Sequence, residues 1–116
     1  MIKLLRIQTV IVVITLFLAL HNYAIADNRE TIGRWIDDTP NIGSTIEIYK
    51  QKGKFNISYH FKDGSDLTEE LEKKINKGKT IYRKRDRPTD YYVISKDKNL
   101  ESWDNLGFIF HARPMQ

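Results

Sequence analysis

Two histidines, His60 and His111, and a run of carboxylates, Asp63, Asp66, Glu69, Glu70 and Glu72, are the side chains of residues 27–116 best suited to acid–base chemistry. A histidine base needs a nucleophile or an orienting carboxylate within hydrogen-bond reach. Paired carboxylates can hydrolyse glycosidic bonds when they stand about 5–9 Å apart across a cleft. Here Lys73 and Lys74 follow the acidic run at once, and a chain of this length has little material for cleft walls. His60, His111 and a carboxylate show no metal-ligand spacing. The chain has no Cys, which removes thiol catalysis, disulfides and thiolate metal sites together. These residues point to a non-enzymatic protein without metal or cofactor.

The charge layout is more informative. Lys73, Lys74, Lys77, Lys79, Arg83, Lys84, Arg85 and Arg87 place eight basic residues in fifteen positions, directly after the acidic run. In adjacent antiparallel strands Glu69, Glu70 and Glu72 would face Arg83 and Lys84 on a wet surface, as exposed pairs worth little each. The functional counterpart is a patch for an anionic partner: an acidic protein face, lipopolysaccharide phosphates or cell-wall polymers. Arg85 and Arg87 flank Asp86 on a loop with Pro88, and an Arg at a loop tip can fork onto a carboxylate or phosphate. Aromatics are the second resource. Tyr91 and Tyr92 point to opposite faces of one strand, so one of them turns outward. With Trp103 it forms an exposed strip of the type that dominates protein interfaces. The expected partner-binding set is therefore Arg83, Arg85, Arg87, Tyr91 or Tyr92, and Trp103.

The elements that must position these residues read as strands. Phe55, Ile57, Tyr59 and Phe61 alternate with Asn56, Ser58 and His60, which is a strand with one dry face. Ile46 and Ile48 point inward from Thr45–Lys50, and Gln51-Lys52-Gly53 makes a hairpin loop between the two. Asp63-Gly64-Ser65 is another tight turn. Further strands are Thr80–Lys84, Tyr91–Ser95, Leu100–Asp104 and Phe108–Arg113. Leu67, Leu71 and Ile75 sit at helical spacing yet share one strand parity. A strand over Asp66–Asn76 is favoured over a helix, because the flanking Asp-Gly and Asn-Lys-Gly-Lys are hairpin turns. Asp27–Thr31 reads as flexible. Short loops make successive strands antiparallel neighbours. The fold class is thus all-β, one up-and-down meander of seven to eight short strands, closed or half-open as a small barrel.

Gly33-Arg34-Trp35 opens the first strand of this reading and Arg113 ends the last. The pattern resembles the Gly-x-Trp motif of lipocalins. The resemblance implies that Trp35 plugs the closed end of a barrel, that Arg113 lies over its indole, and that a small ligand is carried inside. Such stacking contributes ~0.5–2 kcal/mol. Full lipocalins have about twice this length, so strands here are too short to wall a deep cup. The Asp63-Gly64-Ser65 turn, the Tyr91–Ile94 strand and the Leu100–Ala112 hairpin are also similar to small exported bacterial β-barrel proteins, a likeness that carries no activity.

Residues 1–26 read as a cleaved signal peptide. Lys3 and Arg6 precede an apolar run over Ile7–Leu20, and Ala24-Ile25-Ala26 supplies a small-x-small cleavage site. The run is too short for a lasting membrane span. Cleavage after Ala26 leaves one domain, residues 27–116, in the periplasm or outside the cell. It lowers the formal charge from +4 to +2, with 17 Lys and Arg against 15 Asp and Glu. Such a balance argues against nucleic acid as partner. A domain this small, without disulfides, holds its core alone or by pairing with a second copy. The expectation is an exported protein-binding module of inhibitor or immunity type, with a small-ligand carrier or an envelope structural protein as alternatives.

Overall fold

The computed structural model describes residues 28–40 and 43–115, so the signal segment and its cleavage site lie outside the described residues. Eight strands follow in order: β1 Arg29–Asp37, β2 Ser44–Gln51, β3 Lys54–Phe61, β4 Asp66–Asn76, β5 Lys79–Lys84, β6 Tyr91–Ile94, β7 Leu100–Asp104 and β8 Gly107–Pro114. Each pairs antiparallel with its neighbours in sequence, and β8 returns to β1, closing the barrel. The ambiguous segment Asp66–Asn76 is a strand, as its flanking turns indicated. Arg29–Thr31, read as flexible, is instead the start of β1, in register with Tyr49–Gln51 of β2. The β1–β2 ladder explains it: β2 runs on to Gln51 and gives Arg29–Thr31 partners beyond the bulge before Gly33.

Alternation decides what faces inward. Ile46 and Ile48 of β2, Ile57 and Tyr59 of β3, Leu71, Tyr82, Tyr92, Leu100 and Ala112 form one buried cluster with Trp35. An eight-stranded barrel is just wide enough for such side chains to fill its axis. Burying an Ile or Leu in this way contributes roughly 2–3 kcal/mol. Ser58 departs from the expected wet face. It is buried on the outer wall, with Thr68 Oγ1 at 3.0 Å and the Tyr49 hydroxyl at 3.4 Å. Beside it Glu47 accepts hydrogen bonds from Thr31, Arg34 and Arg29, and the Arg29 guanidinium lies 3.5 Å from the Tyr49 ring centre. Burial alone would raise the Glu47 pKa. The Thr31 hydroxyl and the charge of Arg29 outweigh that and hold it below the ordinary carboxylate value.

Alternate connections share an end of the barrel. The β2–β3, β4–β5 and β6–β7 turns lie at what we term the lower end, the other four at the upper end. The β3 ladder on β4 stops at Phe55 opposite Leu71, leaving Glu72–Asn76 paired with β5 alone. The tip of this hairpin therefore overhangs the lower rim. Leu71 is buried as its parity demands, but Leu67 and Ile75 on the same face are exposed, because they stand where the wall opposite has ended.

Trp35 closes the lower end. Its indole folds back across Gly33 and its Nε1 donates to the Lys98 carbonyl in the β6–β7 turn at 2.7 Å. A Cβ on Gly33 would sit 2.5 Å from Trp35 Cη2, so this position excludes any side chain. The spacing Gly-x-Trp thus has a steric reason. Arg113 does not take the part expected of it. It pairs in register with Ile36, not Trp35, and since Ala112 before it faces the core, its own side chain points outward. There its Nε donates to Asp38 Oδ2 at 2.7 Å, and that bond raises its pKa. Arg113→Ala should accordingly leave both the Trp35 emission spectrum and the urea midpoint unchanged within error. A blue or red shift of Trp35 in a Trp103→Phe background would restore the stacked arrangement.

Candidate functional site

The structure brings most of the expected partner-binding residues onto one stretch of outer wall. Arg83, Tyr91, Trp103 and Phe108 are direct cross-strand partners on β5, β6, β7 and β8. Strand pleating sets such partners side by side. The Arg83 guanidinium lies 5.5 Å from the Tyr91 ring centre. Tyr91 and Trp103 stack at 6.3 Å with rings 6° from parallel. Phe108 meets Trp103 edge-on at 5.4 Å and 74°, and His111 lies 6.1 Å beyond it. Trp103 Nε1 donates to Glu101, fixing the indole plane.

Phe108 was not legible as part of this ladder. Its parity with Phe110 and Ala112 predicts an inward side chain. A β-bulge inverts it: Ser102 pairs with Phe110 but Trp103 with Phe108, so Ile109 is an extra residue. The bulge re-aims the strand start and leaves Phe108 and Ile109 each 51% exposed, next to Leu106 at 91% on the β7–β8 turn. No sequence signal marks a bulge of this kind.

Tyr92 does not belong to the surface. It faces the barrel interior, 1% exposed, because Tyr82 opposite it already points inward. Its hydroxyl lies 2.6 Å from that of Tyr59, and burial pushes both phenols above their ordinary pKa. Lys84, expected on a wet face, also points in: its Nζ stands 3.5 Å from Glu69 and 3.9 Å from Asp90. Burial would lower the Lys84 pKa, yet Tyr92, Glu69 and Asp90 together raise it, so the amine stays protonated and is a poor nucleophile. Tyr59, Glu69 and Lys84 line an upper-end depression of about 310 Å³, bordered by Phe61, Leu67 and Phe110. Below it the axis is filled, with Ile48, Ile57 and Leu100 at 0% exposure.

The β5–β6 loop completes the surface. Arg83 Nη1 donates to the Pro88 carbonyl at 2.7 Å, holding the loop against the ladder. Arg85 is exposed, 3.9 Å from Glu70, and Arg87 is exposed beyond it. Glu72 is opposite Arg83 in register but ion-pairs with Lys74. His60 pairs with Asp66 on open surface. Among the described residues no three His, Cys, Asp or Glu side chains group as metal ligands. No family model, curated protein or solved structure matches this chain.

Proposed function

We propose that this protein is an exported, non-enzymatic binding module that recognises another protein through the Arg83–Tyr91–Trp103–Phe108 ladder. The observation that carries the reading is the run of packed aromatics across three strands, extended by exposed Ile109 and Leu106 and flanked by Arg83, Arg85 and Arg87. Tyr, Trp and Arg are the residues enriched at interface hot spots. Held by strands and by one another, the rings lose little further freedom on docking. The partner chemistry that fits is an apolar patch bordered by carboxylates, since two exposed Arg stand at the loop edge. The filled axis, which opens to a shallow depression at its upper end, supports this reading over that of a carrier.

The test is capture of a partner from the native exported fraction by the immobilised protein, followed by affinity measurement on the captured species. Trp103→Ala should weaken binding by about 30-fold, as a central hot spot of about 2 kcal/mol does. Phe108→Ala, a more exposed site, should weaken it severalfold with the urea midpoint unchanged. Affinity insensitive to both substitutions would dismiss the ladder as the contact surface.

A further inference from the structure

The turns at the lower end of the barrel carry an unusual residue choice. Three non-glycine residues adopt positive φ among those described: Lys52 at 53°, Lys77 at 52° and Lys98 at 70°. Each lies in a different lower-end turn. The left-handed region disfavours a side chain with a Cβ and is ordinarily filled by Gly, Asn or Asp. In the first two of these turns a glycine follows the lysine at positive φ, Gly53 and Gly78, whereas at the upper end the described positive-φ residues are all glycines, Gly64 and Gly107, and Asp37, Asp63 and Asp104 cap the turn amides. Lysine serves none of these turns conformationally, so three separate turns accept strain to project an ammonium from the same rim.

The surroundings reinforce the charge. Lys50 and Lys54 flank the first tip, Lys74 and Lys79 the second, and Lys96 stands two residues before Lys98. All are exposed. Glu30, Glu70, Glu72, Asp97 and Glu101 are the acids nearby; Glu70 is taken up by Lys54 at 3.9 Å and Glu72 by Lys74 at 3.4 Å. Lys52, Lys77 and Lys98 form no ion pair among the described residues. At the overhanging tip, one residue before its turn, Ile75 is 73% exposed amid these lysines. Beside it runs an open groove of about 870 Å³ whose lining sets Lys73, Lys77, Lys79 and Lys96 around Tyr82, with Glu101 at its edge.

We propose that the lower end docks on the surface of a bilayer containing anionic phospholipid, Lys52, Lys77 and Lys98 meeting headgroup phosphates while Ile75 enters the headgroup–acyl boundary. Basic residues near an anionic surface each add attraction, and an apolar side chain among them adds burial. Ile75 decides between a bilayer and a dissolved polyanion, which would give the lysines phosphate but leave Ile75 in water. The aromatic ladder lies toward the upper end and remains free for a partner.

Co-sedimentation tests this, using protein recovered from the exported fraction with its start fixed by mass spectrometry. Vesicles of phosphatidylglycerol and phosphatidylcholine should pellet it at low salt, and vesicles of phosphatidylcholine alone should not. The triple variant Lys52→Asn, Lys77→Asn and Lys98→Asn keeps residues suited to positive φ, so its urea midpoint should hold or rise. Its vesicle partition should fall about 100-fold, at about fivefold per lysine. Ile75→Ser should retain low-salt binding but lose the fraction that resists 0.5 M salt. Trp103→Ala should bind vesicles as wild type does, which separates this inference from the protein-binding role. Binding unchanged in the triple variant would overturn the inference. So would equal binding to both lipids, or polyphosphate binding as tightly as vesicles with Ile75→Ser silent in both.

Discussion

Gly33→Ala should lower the unfolding free energy by about 3 kcal/mol, the largest effect expected of so small a change. The added methyl would fall 2.5 Å from Trp35 Cη2 and 2.7 Å from Cζ2. Neither the buried indole nor the strand carrying it has space to yield. Forcing a methyl into a packed site costs about 1–3 kcal/mol, and a displaced indole also gives up its bond to the Lys98 carbonyl, worth about 1 kcal/mol. Urea unfolding monitored by circular dichroism measures the loss. Trp35 emission in a Trp103→Phe background reports the displacement. Trp35→Phe should be additive with Gly33→Ala only if ring and methyl do not touch; a smaller ring should relieve the clash, so the double variant should beat the sum of the singles. A midpoint unaffected by Gly33→Ala would refute the plug.

The second large effect is at Ile57, at 0% exposure in the middle of the inner cluster. Ile57→Ala should cost about 2–4 kcal/mol, through lost transfer energy and the cavity left between β2 and β4. Its neighbour provides the control. Ser58→Ala removes hydrogen bonds to Tyr49 and Thr68 on the outer wall and should cost about 1 kcal/mol, more than a solvent-facing serine would. The two midpoints, read in the same urea series, should differ clearly. Equal losses would mean that β3 does not alternate between core and wall.

Much of this fold was legible because strand parity and turn chemistry are local. Phe55, Ile57, Tyr59 and Phe61 announce β3, and Asp-Gly and Lys-Gly dipeptides announce its neighbours. What escaped was set by pairing across the ring. Arg113 meets Ile36 and Asp38 rather than Trp35 because the stagger of β8 against β1 is fixed by the whole barrel, 78 positions after Trp35 in sequence. The bulge at Ile109 reverses Phe108 and creates the end of the aromatic ladder; an alternation count through the same residues gives the wrong face. Tyr91 and Trp103 were found because their strands are regular. Tyr92 could not be assigned until Tyr82 fixed which face of β6 is inside. The lysine tips were visible as charge, but their common rim and backbone strain depend on topology.

Closure of the barrel has a kinetic side. The ladder joining β1 to β8 holds just the pairs Trp35–Pro114 and Ile36–Arg113, with one further bond from the Met115 amide to the Arg34 carbonyl. Pro114 has no amide hydrogen to give. Every other junction in the ring is longer, so the ring should part here first, and amide exchange across this junction should outpace that of β2 and β3. A parted ring is a curved sheet with two bare edges, each shaped to fit the other. In dilute solution it can only reclose on itself. At high concentration two opened copies can satisfy each other's edges equally well, so an exchanged dimer is the expected product, and size-exclusion chromatography over a concentration series checks it.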